Sequence, residues 1–389
     1  MKWLDRSGLA LFFNARLAEI GALGNLPNGW SEGLADRQGR NIARTQDMLA
    51  EAQRLQQALE SAGIVAAALK GFTLTPDFSK SAILRHQVDF DYLVAPRDVG
   101  RTARVLEALG YTAASINEAG ESCFRTPLRH IPTSNDDLYA IQRHRQVDLH
   151  ISLWDPAPWF PLSIPDDSLA FTEWREVAGV HFRCLSLEDR FLMQVLHAFR
   201  HSFRSWVRVS WILEIANFLH NHHGHSSLWE RVIQRTGNSR LVRCMFAFTL
   251  GLAQRLFQTP IPRPLSSWAC SVTTLPLRAW LDRFSVDWVT ADWPGSLSNL
   301  LLTSEFIPDA ILRRQYWRSR LWPRAAQTSL GAVTSRGARQ RLDHQAERLR
   351  YVAHRAGVHL RDIVALPWQE LRWRRALSSA YRGGSASNC

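Results

Sequence analysis

The chain has 389 residues, 46% hydrophobic and 21% charged, a composition that excludes a disordered protein. It contains no apolar run of about 18 residues, so we expect no membrane-spanning helix. Its five scattered cysteines include no Cys-x-x-Cys pair, which argues against a zinc ribbon and predicts a cytoplasmic protein.

The first part of the chain is predicted to place helices around a short β-sheet. Residues 1–30 are predicted to form a helical segment. An apolar stripe at helical spacing predicts a long helix over 31–62, which Gly63 ends. We expect a strand over 64–69, then a turn at Gly71. A second strand follows over 87–94, and Pro96 begins a helix that ends near residue 109.

The second strand carries two aspartates on one face. Side chains alternate along a strand, so Asp89 and Asp91 point to the face opposite Phe90 and Tyr92. Two carboxylates on one face of a packed strand repel each other and lose hydration. A bound divalent cation makes the arrangement favourable, and oxygen ligands suit Mg²⁺.

The same pattern returns in a later strand, where Asp148 and His150 share one face and Val147 and Leu149 share the other. If the two strands are neighbours, three carboxylates converge. Three carboxylates around two metal ions about 3.5–4 Å apart form a clamp for in-line displacement at phosphorus. The sequence therefore predicts a phosphoryl-transfer site that uses Asp89, Asp91 and Asp148.

Further elements complete the chain. Residues 116–137 are predicted to hold a hairpin, and a strand is expected near 180–184. Ser186 is a suitable N-cap for the helix that follows, and helices are predicted from there to about residue 321. His197 and His201 are one helical turn apart, a spacing that permits zinc binding, although core or substrate-pocket roles fit them better.

Four motifs occur in a fixed order: Leu69-Lys70-Gly71, Arg85, Asp89-Phe90-Asp91 and Val147-Asp148-Leu149-His150. Together they resemble the DNA polymerase β-type nucleotidyltransferase superfamily, and within it the family called uncharacterised nucleotidyltransferase. The resemblance covers about residues 35–325 and continues into a Trp-containing helix in which Glu214 replaces an expected Asp.

The resemblance implies an α+β fold: a small mixed β-sheet core flanked by helices, followed by a helical domain. We therefore divide the chain into an N-terminal helical segment (1–30), a catalytic domain (31–184), a helical domain (185–323) and a basic C-terminal segment (324–389).

The resemblance also implies site roles. Asp89 and Asp91 would bind two Mg²⁺ ions, with Mn²⁺ as the alternative, and Asp148 would bind the catalytic one. The NTP would contact a second set: Lys70, Gly71, Phe72, Thr73, Arg85 and His150. Many relatives have Gly-Ser at the turn, whereas this chain has Gly71-Phe72, so backbone N–H groups, Thr73 or Lys70 would contact phosphate.

Three of these residues have structural alternatives. Gly71 could form an ordinary strand-to-helix turn. Lys70 could be a solvated strand end, and His150 could be purely structural.

The whole net charge of +12 lies at the end of the chain. From Arg313 onward there are 16 Arg and four acidic residues, which leaves residues 1–312 formally neutral. Four tryptophans lie among these arginines: Trp317, Trp322, Trp368 and Trp373. The segment could bind nucleic acid through charge and stacking, or form helices with tryptophans inward and arginines outward.

Two classes of function remain. The first is an enzyme that transfers a nucleoside monophosphate from an NTP to an acceptor (a small molecule, saccharide, peptide or protein) and releases pyrophosphate. The second is a non-catalytic protein of the same fold that holds nucleic acid or a protein partner through its basic segment.

Overall fold

The computed structural model describes residues 1–116, 122–126, 138–139, 145–154, 159–160, 162, 167–204, 207–237, 239–291, 296–322 and 338–382. These residues form an α+β structure, as the sequence predicts. The N-terminal elements are α1 (Lys2–Ser7), α2 (Ala10–Glu19), α3 (Trp30–Ser61), β1 (Ala66–Ala68), β2 (Asp89–Val94), α4 (Val99–Ala108), β3 (Thr112–Ile116), β4 (Ser122–Arg125), β5 (Gln146–His150), β6 (Thr172–Val177) and β7 (Val180–Leu185).

The elements after residue 185 are all helical. They are α5 (Leu187–Arg204), α6 (Val209–Asn221), α7 (Ser226–Arg235), α8 (Arg240–Phe257), α9 (Arg263–Cys270), α10 (Leu275–Thr290), α11 (Thr303–Phe306), α12 (Ala310–Leu321) and α13 (Ala338–Arg382). None of the described helices is both long enough and apolar enough to cross a membrane.

The seven strands form one mixed sheet in the order β3-β4-β5-β2-β1-β7-β6. The central strand β2 pairs with β1 in antiparallel fashion and with β5 in parallel. Because parallel neighbours cannot be joined by a tight turn, β2 and β5 are separated in the chain by other elements. The chain crosses over through α4 and forms the outer strands β3 and β4 of the same sheet before it reaches β5.

Helices cover both faces of the sheet. Phe90, Tyr92 and Val94 of β2 pack into a core shared with Met48 and other residues of α3. Leu93, on the opposite face, packs with Met193 of α5. The period-two pattern of β2 therefore directs its apolar side chains toward α3 and its aspartates toward α5.

Helix α5 is anchored to the sheet at its start. Ser186 Oγ accepts a hydrogen bond from the Asp189 N–H at 3.3 Å, which confirms the predicted N-cap. The fully buried Arg190 then donates to Asp77 Oδ2 and to the Thr73 carbonyl, both at 3.0 Å. Because a buried guanidinium is costly unless its donors are paired, these bonds fix α5 against the turn that follows β1.

The largest core lies among the later helices. Aromatic rings dominate it: Phe199 lies 4.7 Å from Phe203 and 4.8 Å from Phe306 between ring centroids. Trp280 of α10 is fully buried in the same core.

Several predicted boundaries differ from the structure. The N-terminal segment contains two helices, α1 and α2, separated by Gly8 in the left-handed conformation. Pro96 begins a short 3₁₀ turn, and α4 starts three residues later, at Val99. Within the predicted 116–137 hairpin, β4 is described and pairs with β3, and most of the remaining residues lie outside the described part of the chain.

Phe199→Ala is expected to lower the free energy of unfolding by about 3–5 kcal/mol, because it leaves a cavity in the aromatic core. Chemical denaturation followed by circular dichroism measures this change. Val286→Ala on the exposed side of α10 is the control and should change the free energy by less than about 0.5 kcal/mol. Equal changes in the two variants would contradict the assigned core.

Candidate active site

Strand pairing brings the predicted aspartates together. β2 and β5 run parallel and in register, so Asp91 lies directly beside Asp148, and Asp89 lies beside Gln146. The prediction that the two strands are neighbours is confirmed. Parallel pairing of these two inner strands places the three aspartates close together on the face of the sheet that looks toward α5.

The three aspartates line one cavity of about 280 Å³ between the sheet and α5. Lys70 and His150 line the cavity on the sheet side. The opposite wall consists of α5 side chains: Met193, Leu196, His197, Arg200 and His201. Leu153 and Trp154 complete the lining. The cavity therefore combines a carboxylate floor with cationic and apolar walls, which suits a ligand with phosphate and apolar parts.

Two basic side chains contact Asp91. Lys70 Nζ lies 2.9 Å from Asp91 Oδ1, and His150 Nε2 lies 3.0 Å from the same oxygen. Lys70 Nζ also lies 3.5 Å from His197 Nδ1 on α5. Lys70 is therefore a partly buried ion-pair residue rather than a solvated strand end, and the His150 ring lies within hydrogen-bond distance of Asp91.

The neighbouring carboxylates have different surroundings. The Gln146 side-chain amide donates to both Asp148 oxygens, at 3.0 and 2.8 Å. Asp148 thus has a neutral hydrogen-bond donor where Asp91 has the Lys70 ammonium and the His150 ring. This difference separates the pKa values of the three carboxyl groups.

Burial and like charge raise two of these pKa values. Burial, reinforced by Asp91, raises the pKa of Asp89 to about 6. Burial and Asp91 also raise the pKa of Asp148, against the opposing effect of Gln146. Burial would raise the pKa of Asp91 as well, but Lys70 and His150 reverse the effect and lower it. The site is therefore short of positive charge around Asp89 and Asp148.

The donor set has the chemistry that Mg²⁺ prefers, since it consists of carboxylate oxygens on neighbouring strands. In the described residues, however, no three His, Cys, Asp or Glu side chains converge closely enough to hold a metal ion as they stand. The Lys70 ammonium lies beside Asp91 and neutralises it. A metal centre here would require the Lys70 side chain to turn away from Asp91, so the metal ligands stay a prediction.

The glycine turn has a steric requirement. Gly71 adopts φ 73°, and a Cβ at this position would lie 2.4 Å from Gln87 Nε2. Gln87 in turn donates to the Asp89 carbonyl at 2.8 Å. Gly71 is thus needed both for its left-handed conformation and for the close approach of the segment that leads into β2.

The next two residues of the turn belong to the core. Phe72 is buried and its ring lies 6.0 Å from that of Phe182. Thr73 is also buried, and its hydroxyl donates to the Lys70 carbonyl at 3.2 Å. Neither side chain lines the cavity that holds the aspartates. Phosphate contacts from this turn would therefore come from Lys70 and the backbone.

Arg85 is bound to a residue of the helical region. Its Nε donates to Glu214 Oε1 at 2.9 Å, and Gln194 donates to Glu214 Oε2 at 2.6 Å. Burial raises the pKa of Glu214 against the opposing effect of Arg85. The predicted triphosphate contact of Arg85 stays a prediction, since Arg85 is outside the residues that line the cavity. Its observed contact joins the strand segment to α6.

The sequence predicts core or substrate-pocket roles for His197 and His201 of α5, and both residues line the cavity. Burial, reinforced by Lys70, lowers the pKa of His197, so its neutral ring can accept a hydrogen bond from the Lys70 ammonium. Arg200, three residues from His197, was missed. Its signal was the i, i+3, i+4 spacing that places polar residues 197, 200 and 201 on one side of α5.

Comparison with known proteins identifies the class. Residues 1–258 match the family described as "Uncharacterised nucleotidyltransferase", so the chain belongs to this family. The match includes the N-terminal helices and ends at the close of α8, whereas the motifs suggested residues 35–325. No curated protein matches the chain. No solved structure matches it either. Family membership supports a nucleotidyl-transfer role in general terms.

Asp89→Asn is expected to raise the midpoint of thermal unfolding at neutral pH, because it removes a buried carboxylate that Asp91 repels. The folded-state pKa of Asp89, about 6, exceeds its ordinary value of 3.8. Between pH 3.8 and about pH 6 the folded protein therefore binds more protons at this residue than the unfolded protein does. Stability is therefore lost as pH rises through about 6, and the advantage of the variant should fade toward about pH 4. Thermal unfolding of the variant and the wild type across this pH range, in the presence of a metal chelator, measures the difference in midpoint.

Asp91→Asn is the matched control, because Lys70 and His150 lower the pKa of Asp91. This substitution leaves the partly buried Lys70 without its anion and should lower the midpoint at neutral pH. Destabilisation by both substitutions to the same extent would show that the two carboxylates do not differ as described.

Proposed function

We propose that this protein is a metal-dependent nucleotidyltransferase that moves a nucleoside monophosphate from an NTP to an acceptor. The observation that carries the proposal is the in-register parallel pairing of β2 and β5, which places Asp91 beside Asp148 in a cavity shared with Asp89 and Lys70. A structural sheet does not need three carboxylates close together on one packed face, because their repulsion and partial desolvation reduce stability.

In the proposed reaction, an acceptor hydroxyl or other nucleophile attacks the α-phosphorus of the NTP. A bond forms between the acceptor and phosphorus, the bond from phosphorus to the bridging oxygen breaks, and pyrophosphate leaves with that electron pair. The acceptor loses one proton. Asp89 and Asp91 would hold two Mg²⁺ ions, or Mn²⁺, with Asp148 on the catalytic one, and these ions supply charge neutralisation at the phosphates.

The side chains of the cavity would have separate roles in this reaction. Asp148 has a raised pKa, which makes its carboxylate the better proton acceptor of the two paired aspartates. Lys70 would turn from Asp91 to the triphosphate. Its ammonium group would therefore pair with an anion both without and with bound NTP. Arg200, on the opposite wall, would add a second cation for phosphate. Apolar contacts from Trp154 and Met193 would hold the non-phosphate part of a substrate.

The first experiment identifies nucleotide and acceptor together. Protein, Mg²⁺ and a cell extract are incubated in turn with ATP, CTP, GTP and UTP, each labelled in the α-phosphate. We expect one acceptor to become labelled with release of pyrophosphate, and labelling should stop when a chelator is added. Absence of label with all four nucleotides, in extract from the native host, would favour the non-catalytic alternative.

Asp148→Asn is expected to retain binding of Mg·NTP while transfer falls by about 10²-fold or more, because the catalytic charge is lost and Asp89 and Asp91 remain. Asp89→Asn should weaken both binding and transfer. Calorimetric titration with a non-hydrolysable NTP and initial-rate assays measure the two quantities separately.

Asp36→Asn, an exposed aspartate of α3, is the control and should leave binding and transfer unchanged. If all four substitutions at positions 36, 89, 91 and 148 have equally small effects, the carboxylates are not an active site. A binding protein without catalysis would show no transfer in the wild type and intact NTP binding in every variant.

A further inference from the structure

Helix α13 carries apolar side chains on two opposite faces. Its 45 residues pack against α10 through one face, where Val358 and Leu366 are buried. The outward face is also apolar: Leu360, Val364 and Trp368 are 62%, 65% and 70% exposed. An amphipathic surface helix normally presents charged residues there. We therefore expect this outward face to be covered by an apolar partner rather than by water.

A short repeat produces this face. A Leu-Arg pair occurs three times at intervals of eleven residues: Leu349-Arg350, Leu360-Arg361 and Leu371-Arg372. Eleven residues make about three turns of α-helix, so the three leucines lie along one line and the three arginines along another. All six side chains are exposed. The outward face is thus an apolar stripe with a row of arginines along its edge.

We propose that the outward face of α13 binds the surface of an anionic phospholipid bilayer. Aliphatic and aromatic side chains beside a row of arginines match the acyl–headgroup boundary, where apolar groups are buried and guanidinium groups meet phosphate. The charge of the chain agrees, because its entire net charge of +12 arises after residue 312. The helix would lie along the surface rather than cross it, in keeping with the absence of a spanning helix among the described residues.

Two other occupants fit less well. A second copy of the chain would bring two strongly basic segments together, and their like charges would oppose association. Nucleic acid would satisfy the arginines and stack on Trp368, yet it offers nothing to the line of Leu349, Leu360 and Leu371. The tryptophans among the arginines are not all available for stacking on nucleic acid. Trp317 donates to Thr303 inside the fold, whereas Trp322 and Trp368 are exposed.

Vesicle flotation with the full-length protein tests the proposal. We expect the protein to float with vesicles that contain about one third phosphatidylglycerol, and to stay in solution with pure phosphatidylcholine. Leu360→Glu combined with Val364→Glu should reduce binding at least about tenfold, because it places charge in the apolar stripe. Replacement of Arg350, Arg361 and Arg372 by Gln should reduce it by about 100-fold.

Ile20→Glu combined with Trp174→Glu is the matched control, since it adds the same charge at exposed apolar positions outside α13. It should bind vesicles like the wild type. Failure of the wild type to float with anionic vesicles would overturn the proposal, as would equal loss of binding in the control.

The same variants exclude the other occupants. RNA binding that depends on the arginines but not on Leu360 and Val364, without vesicle binding, would assign the face to nucleic acid. A dimer in light scattering that the Leu360→Glu and Val364→Glu variant converts to monomer would assign it to self-association. Either result would contradict the proposal. Monomeric wild type with stripe-dependent flotation would support it.

Discussion

The structure of the site depends on the parallel pairing of β2 with β5. This pairing sets Asp91 beside Asp148 and keeps Asp89 on the same face, so that three carboxylates share one cavity. Carboxylates this close require positive charge or hydrogen-bond donors. Lys70 supplies positive charge to Asp91 and His150 lies within hydrogen-bond distance of it, whereas Asp89 and Asp148 have raised pKa values. Grouping three carboxylates on one face therefore lowers the stability of the folded protein.

The helical region that follows the sheet in sequence also forms part of the site. Helix α5 supplies the wall that faces the carboxylates, and Arg190 fixes the start of that helix to the glycine-turn segment. Glu214 of α6 holds Arg85, four residues before Asp89. These contacts explain why the family match continues through α8, well beyond the sheet. The family match thus covers both the sheet and the helices that pack beside it, whereas α13 lies outside the matched residues.

Sequence patterns were sufficient for the alternating strands. The period of two along β2 and β5 predicted which residues share the aspartate face, because Phe90 and Val147 lie on the opposite, buried face. The closeness of Asp89, Asp91 and Asp148 was predicted from that period together with the order of the motifs. Partners of buried charges could not be predicted, because Arg85 and Glu214 are distant in sequence and meet only through tertiary packing. The burial of the Phe72 and Thr73 side chains in the core likewise became visible only in the tertiary structure, and their contacts with nucleotide stay a prediction.

The most direct test is a crystal structure of the protein with Mn²⁺ and a non-hydrolysable NTP, measured for anomalous scattering. The account predicts metal peaks in contact with the carboxylates of Asp89, Asp91 and Asp148, and a Lys70 side chain that has left Asp91 for the phosphates. A nucleotide bound elsewhere, or a cavity without metal in which Lys70 still contacts Asp91 at saturating Mn²⁺, would contradict it.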